Sequence, residues 1–292
     1  MTGFSFDRRI HAARPDLADV RLKDHVTAER YVEGSPAWVK AAGVPLRPGP
    51  DPARPIDTEL LMGESVLVFD ERDGWSWCQN DEDGYVGYCP SDSLESGLDR
   101  PAATHRISAP SSFIYPEADL KYPPRARLSM GTGLAVVGEA ETRGTPYLQL
   151  ADDLGWIVAT HASAADKQRS DYVDFAEAFL NVPYLWGGRT GQGLDCSALV
   201  QIPMMMAGQT VPRDSDMQAR AIGASLGHDI SALSFRRGDL IFWRGHVGIM
   251  SDAETLLHAS GYQMMVVKEP LQNAVARIGA NEFGAVTDIR RP

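Results

Sequence analysis

Cys196 and two of the seven histidines, His246 and His258, carry the chemistry that this sequence of 292 residues offers. Cys196 follows Asp195 directly behind a glycine-rich stretch, Trp186-Gly187-Gly188 to Gly191-Gln192-Gly193. Ala198, Leu199 and Ile202 come next and supply the packing face of a helix. The spacing predicts Asp195 near an N-cap and Cys196 in the first turn. Amide dipoles at a helix start favour negative charge and lower the pKa of a thiol. Unpaired N–H groups at the same place are able to hold a developing oxyanion. Glycine lets the chain turn tightly enough to expose such a side chain. The plain alternative is a buried structural thiol.

A nucleophilic cysteine needs a base. His11, His25, His105, His161 and His228 lie in polar or loop-like stretches. His246 and His258 lie inside apolar strand-like runs, and their midpoint falls within Ser251-Asp252-Ala253-Glu254. A hairpin centred there sets the two rings directly opposite, with Cβ atoms about 5 Å apart. One imidazole then orients the other, which deprotonates Cys196; this is the logic of a papain-like triad. A histidine pair that only stabilises the sheet fits the same spacing. A zinc site of Cys196, His246 and His258 lacks a fourth ligand and the short paired spacings of zinc motifs.

The elements that must position these residues divide by texture. Residues 1–43 are unassigned, apart from a short helix expected near Asp16 to His25. Residues 44–165 read as short strands broken by Pro, Gly and Asp, and they contain an internal repeat. Pro48 precedes Gly63 as Pro116 precedes Gly131; Val66 to Phe69 matches Leu134 to Val137; Trp75-Ser76-Trp77 matches Tyr147 to Leu150; and Gly84 to Tyr88 matches Gly155-Trp156-Ile157. The expectation is two small all-β barrels, 44–100 and 101–165, resembling bacterial SH3-like domains. Residues 166–292 place helices first and strands afterwards, an α+β pattern. Asp171 caps a helix whose Tyr172, Phe175, Ala176, Phe179 and Leu180 share a face. Ser215 to Gln218 has the spacing of a capping box. Pro203 is expected to kink or shorten the helix behind Cys196, Met204 to Met206 to fill core, and Trp186 to pack beneath the glycine loop.

Composition limits the function classes. With 43% hydrophobic and 23% charged residues the chain is ordinary globular material. The net charge of −11 argues against nucleic-acid or electrostatic membrane partners. No run of about eighteen apolar residues occurs, and the first twenty residues lack a signal-peptide pattern. The expectation from a natural start at Met1 is a cytoplasmic protein. Cys78 and Cys89 flank a predicted hairpin and are expected to stay buried thiols.

Tyr184-Leu185-Trp186-Gly187-Gly188, Leu194 to Gln201 around Cys196, Arg237 to Trp243, His246 to Ile249, and Leu257-His258-Ala259 occur in that order. The set resembles the NlpC-type cell-wall peptidases, which are papain-like. With two SH3-like domains in front, the layout is similar to the subgroup of γ-D-glutamyl-L-diamino acid endopeptidases, which cut murein peptides. The resemblance implies a multidomain chain: two SH3-like barrels, then an α+β papain-like cysteine peptidase domain. It implies Cys196 as nucleophile, His246 as general base and His258 as its orienting group. Tyr184 would bind the oxyanion beside the N–H of Cys196, and Asp195, Ser197, Asp214 and Ser215 would line the cleft. Glu64 and Tyr85, with Tyr88 competing for the latter role, would close the site around a free N-terminal L-Ala. A murein peptide is then the partner, and no metal or cofactor is required. A murein-binding module with an inactive papain-like domain, or an amidase or acyltransferase, are the other readings.

Overall fold

A computed structural model describes residues 4–97, 100–166, 171–281 and 283–292; residues 1–3 of the unassigned N-terminal segment lie outside it. The chain forms two compact units. One comprises Met1–Thr104, Phe113–Leu128 and Thr132–Val158; the other comprises His105–Ser112, Ser129–Gly131 and Ala159–Pro292. Residues 101–165 are thus shared between the units.

In the first unit, Ser35–Val39 (β1), Ser65–Arg72 (β2), Trp75–Asn80 (β3), Val86–Pro90 (β4) and Leu94–Ser96 (β5) form an antiparallel sheet in the order β4-β3-β2-β1-β5. The first strand therefore lies inside the segment that the sequence leaves unassigned. The turn Asp73-Gly74 joins β2 to β3 with φ of 51° and 78°. Two positive φ values in a two-residue loop match the right-handed twist of the flanking strands. A second meander repeats the design: Val136–Thr142 (β6), Thr145–Leu150 (β7) and Gly155–Val158 (β8), with Arg143-Gly144 at φ of 53° and 77°. Even the register shift recurs, between Val68 and Asp70 in one copy and Val136 and Gly138 in the other. Cys78 and Cys89 are buried with Val39, Leu46, Leu60 and Val66, their sulfurs 3.8 Å apart. Of the short helix expected near Asp16 to His25, only a 3-10 segment forms. Leu17–Asp19 pairs in parallel with Arg30–Val32, and the Asp19 carboxylate caps a single 3-10 turn at Val20–Leu22 by accepting the N–H of Arg21.

The second unit contains a six-stranded sheet with helices packed on it. Tyr172–Glu177 (α1) starts where the Asp171 carboxylate accepts the N–H of Val173 at 2.9 Å. Ala198–Met206 (α2) and Ser215–Ala221 (α3) follow. Then come Ala224–Ser225 (β9), Leu240–Trp243 (β10), His246–Met250 (β11), Thr255–Ser260 (β12), Met265–Pro270 (β13), Leu271–Asn281 (α4) and Asp288–Arg291 (β14). The sheet order is β9-β14-β10-β11-β12-β13. Arg237, ahead of β10, clamps α1 by ion pairs to Asp171, Asp174 and Glu177.

Both faces of the sheet are covered, which explains the unbroken apolar runs of β10 and β11. Leu240, Phe242, Val247, Ile249 and Leu257 pack with Phe175, Phe179, Leu199, Ile202 and Met204. Ile241, Trp243, Met250 and Leu256 pack with Leu271, Ala274 and Ile278 of α4. Helix α2 is apolar nearly all round because it is buried nearly all round. Pro203 sits within it without ending it: the helix runs on to Met206, and the N–H of Ala207 bonds the Pro203 carbonyl at 3.0 Å. Leu257 lies fully buried at the centre of the α2-facing core. Leu257→Ala should lower the unfolding free energy by about 2–5 kcal/mol, seen as a lower urea midpoint for the transition that includes this unit.

Candidate active site

The glycine loop delivers Cys196 to the start of α2. Arg189–Thr190 and Gly193–Leu194 pair as a minute hairpin. A Cβ on Gly188 would lie 2.5 Å from the Gly193 carbonyl oxygen, so only glycine permits this closeness. Asp195 comes directly after. Its carbonyl accepts the N–H of Leu199 at 3.1 Å and its carboxylate accepts the N–H of Ala198 at 2.9 Å. Asp195 thereby caps the helix and Cys196 lies in the opening turn, although regular helix begins at Ala198.

The Asp195 carboxylate has further partners. Oδ2 accepts the N–H of Gly187 at 3.1 Å, and Oδ1 accepts the Ser197 hydroxyl at 3.1 Å. Arg213, 1% exposed, donates to Oδ1 at 2.9 Å and to Oδ2 at 2.7 Å. The same guanidinium donates to Ser197 Oγ at 2.8 Å and to the Gly188 carbonyl at 3.2 Å. A bidentate, charge-assisted pair is the strong form of this contact. Asp195 and Ser197, expected to line a cleft, are therefore engaged with Arg213 and the loop.

Cys196 is 6% exposed. Its thiol pKa is pushed up to about 12, chiefly by burial and then by the Asp195 charge. The N–H groups of Val247 and Ser197 on the sulfur, and the Arg213 charge, pull the other way and lose. The lowered thiol pKa expected at a helix start is thus reversed, because a dry site beside a carboxylate outweighs the terminal amides. The contact with Val247 also sets the sulfur against the residue that follows His246 on β11.

His246 is buried, and its pKa lies well below the ordinary imidazole value because of burial, then His258, then Arg277. At neutral pH the site rests as a thiol and a neutral ring. His246 Nε2 lies 2.8 Å from His258 Nδ1, with the rings at 76°. These facing nitrogens bond each other instead of converging on a shared ion. The predicted direct opposition does not occur. Ile249 pairs with Leu257 and Met250 with Leu256, a register that carries Gly248 opposite His258 and leaves His246 two residues further along. The rings meet as diagonal neighbours on one face. Phe283 stacks on His246 at 5.4 Å and 6°.

The sequence did not single out three residues that hold this arrangement. Glu269 Oε1 lies 2.8 Å from His258 Nε2, and Arg277 donates to the same oxygen. The period-two pattern of β13 puts Glu269 on the face of Val267, which is opposite His258, but that strand follows the last one the sequence suggested. Arg213 is the second, signalled only by a cation in the apolar context Val211-Pro212. Gln218 is the third: its Nε2 donates to the carbonyls of Ser197 and Pro212, each at 2.9 Å. It therefore does not serve a capping box at Ser215; Asp214 takes the N-cap position of α3.

The other expected residues are spread over both units. Tyr184 is half-buried, bridges to Leu194 and donates its N–H to the Met264 carbonyl at 2.9 Å. Trp186 is 65% exposed and does not pack beneath the loop. Asp214 and Ser215 open α3. Glu64, in the first unit, is buried and accepts the N–H of Leu61 at 3.0 Å and the Asn80 amide at 3.3 Å. Tyr85 is buried in the core of the same unit.

A cysteine in the opening turn of a buried helix, set against a strand that begins with a histidine, is the papain-like arrangement. Residues 181–277 match the NlpC/P60 family and residues 46–94 match the bacterial dipeptidyl-peptidase SH3 domain, so the chain carries an NlpC/P60 domain behind a bacterial SH3 domain. Among its relatives, the gamma-D-glutamyl-L-lysine dipeptidyl-peptidase of Bacillus subtilis (strain 168) is 29% identical over 227 residues, covering 70% of this chain and 72% of the relative. The protein of the same name from Bacillus cereus (strain ATCC 10987 / NRS 248) is 25% identical, covering 65% of this chain and 61% of the relative. The crystal structure of an NlpC/P60 family protein from Bacillus cereus ATCC 10987 has the same fold, with a TM-score of 0.72 at 20% identity over 88% of this chain and 99% of that one.

Iodoacetamide should alkylate Cys196 before the fully buried Cys78 and Cys89, as read by peptide mass mapping. Because the thiolate reacts and the Cys196 thiol sits at about 12, the rate should climb about tenfold per pH unit from pH 8 to 10 without levelling.

Proposed function

We propose that this protein is a cysteine endopeptidase that hydrolyses the γ-D-glutamyl–diamino acid bond of murein peptides with a free N-terminal L-Ala. The observation that carries this reading is that Cys196, buried in one core with Val247, opens a helix packed on the strand where His246 bonds His258 at 2.8 Å. The names of the relatives support the bond and the substrate class.

In this mechanism His246 Nδ1 takes the thiol proton as the sulfur attacks the γ-glutamyl carbonyl carbon. The oxyanion that forms is received by the N–H of Cys196 and the hydroxyl of Tyr184. Collapse breaks the C–N bond, and His246 returns the proton to the departing amine. Water, deprotonated by the same ring, then hydrolyses the thioester. Since the thiol begins neutral, proton transfer accompanies attack. Asp214 and Ser215 are assigned to the cleft that holds the peptide. A peptidase that demands a free terminus acts on released peptides rather than intact wall, which suits murein recycling.

Incubation with L-Ala-γ-D-Glu-diaminopimelate and mass analysis should give L-Ala-γ-D-Glu and the free diamino acid, and Cys196→Ala should abolish this. N-acetylating the substrate should cut kcat/KM at least about 100-fold. Equal turnover of blocked and free peptides would remove the terminal requirement, and scission at another bond would overturn the assignment.

The pH dependence has a definite sign. Protonation of His246 removes the base, and its pKa is depressed. The acid limb of kcat/KM should therefore lie below about pH 6.5, the ordinary imidazole value. A limb centred above pH 7 in a pH–rate profile would contradict this.

A further inference from the structure

We propose that Glu269 is a positioning residue that fixes where the protons of the histidine pair reside, holding one on His258 Nε2 and so leaving His246 Nδ1 bare. This rests on the reading of Cys196 and His246 as nucleophile and base.

Glu269 stands opposite Leu256 on the β12–β13 ladder, while His258 stands opposite Val267. The carboxylate is thus a diagonal neighbour of the ring, and its Oε1 meets Nε2 at 2.8 Å. Arg277, reaching from α4, donates to the same oxygen and packs its guanidinium 5.0 Å from the Tyr262 ring centre. The hydrogen bond from His258, together with the charge of Arg277, holds the Glu269 carboxyl below the usual range.

The proton positions follow by counting. An ionised carboxylate only accepts, so His258 Nε2 must carry a hydrogen. With His258 in its neutral form, the ring has one N–H, so its Nδ1 must accept. The atom 2.8 Å from it is His246 Nε2, which must then donate. One N–H being spent, His246 Nδ1 holds a free lone pair. Take the carboxylate away and a second pattern with the same number of protons becomes equally good. His258 Nδ1 donates to His246 Nε2, and the His246 proton sits on Nδ1, where it cannot receive another from a thiol. The histidine pair alone does not choose between the patterns; Glu269 does, and Arg277 keeps it charged.

The test is nitrogen NMR of protein labelled with 15N-histidine at pH 8, where each ring nitrogen reports whether it carries a hydrogen. Both rings of the unaltered protein should be protonated on Nε2. A His246 protonated on Nδ1 would overturn the proposal whether or not any peptide is cleaved, so its failure is separable from failure of the peptidase reading. In Glu269→Gln the side chain both donates and accepts. Protons should then appear on Nδ1 of both rings in a share of the molecules, and kcat should fall in proportion to that share with KM changed less than about twofold. Unmoved protons in that variant, or moved protons with unchanged kcat, would each overturn it. Should Glu269→Gln not fold, the spectrum of the unaltered protein decides alone.

Discussion

The buried pairing of Asp195 with Arg213 is the constraint on which the site depends. One carboxylate ties together three stretches of chain: the glycine loop through Gly187, the start of α2 through Ser197 and Ala198, and the approach to α3 through Arg213. None of these stretches has enough regular structure to fix itself. The Gly187 to Leu194 loop contributes only two short pairs, and α3 has seven residues. Both charges are nearly dry, so neither tolerates loss of the other; breaking such a pair costs about 3–5 kcal/mol. The same pair that orders the loop therefore places the sulfur.

This solution has a chemical consequence. Burial opposes ionisation of the thiol most, the neighbouring carboxylate adds to it, and together they prevail over the helix start and the guanidinium. The site gives up a standing thiolate. What it gains, under the proposed mechanism, is reactivity at the moment of transfer, since a thiolate derived from a weaker acid is intrinsically the better nucleophile. Such an arrangement works only with a base already in place, unprotonated and aimed. Burial supplies the first condition by keeping His246 neutral. Aim comes from packing: Phe283 lies flat on the ring and His258 bonds its far nitrogen.

Residue type and local spacing made much of this legible from sequence. A glycine run, an acid and a cysteine ahead of an apolar face announce a helix start, and that is where Cys196 lies. Two histidines in adjacent apolar runs announce one sheet face. The repeat of strand residues announces the paired meanders, while the matching turns Asp73-Gly74 and Arg143-Gly144 emerge only in the structure. Quantities set by three-dimensional neighbours were not legible. The strand register depends on where the turn at Ser251 settles, and it shifted the expected histidine opposition by two residues. The thiol shift depends on dryness, which spacing does not report. Arg213 and Glu269 are single charged residues whose partners lie 18 and 11 positions away. Only the apolar context Val211-Pro212 marks Arg213 locally, nothing local marks Glu269 as bonded, and the SH3-side Glu64 looks in sequence like a solvated turn residue although it is buried.

The diagonal register suits the chemistry better than the opposition the sequence suggested. Directly opposed side chains stand side by side with their Cβ atoms close, so two imidazoles there would press ring against ring. An offset of two residues keeps both on one face and lets nitrogen meet nitrogen, with the rings at 76°. The step then repeats from His258 to Glu269 on the next strand. Two equal diagonals carry a line of polar groups across β11, β12 and β13 to Arg277 on α4. A slip of one residue in either ladder would turn part of that line into the opposite core, where Leu257 and Val266 now sit. The apolar cores on the two faces thus enforce the register, and the register aligns the hydrogen-bonded line from His246 to Arg277.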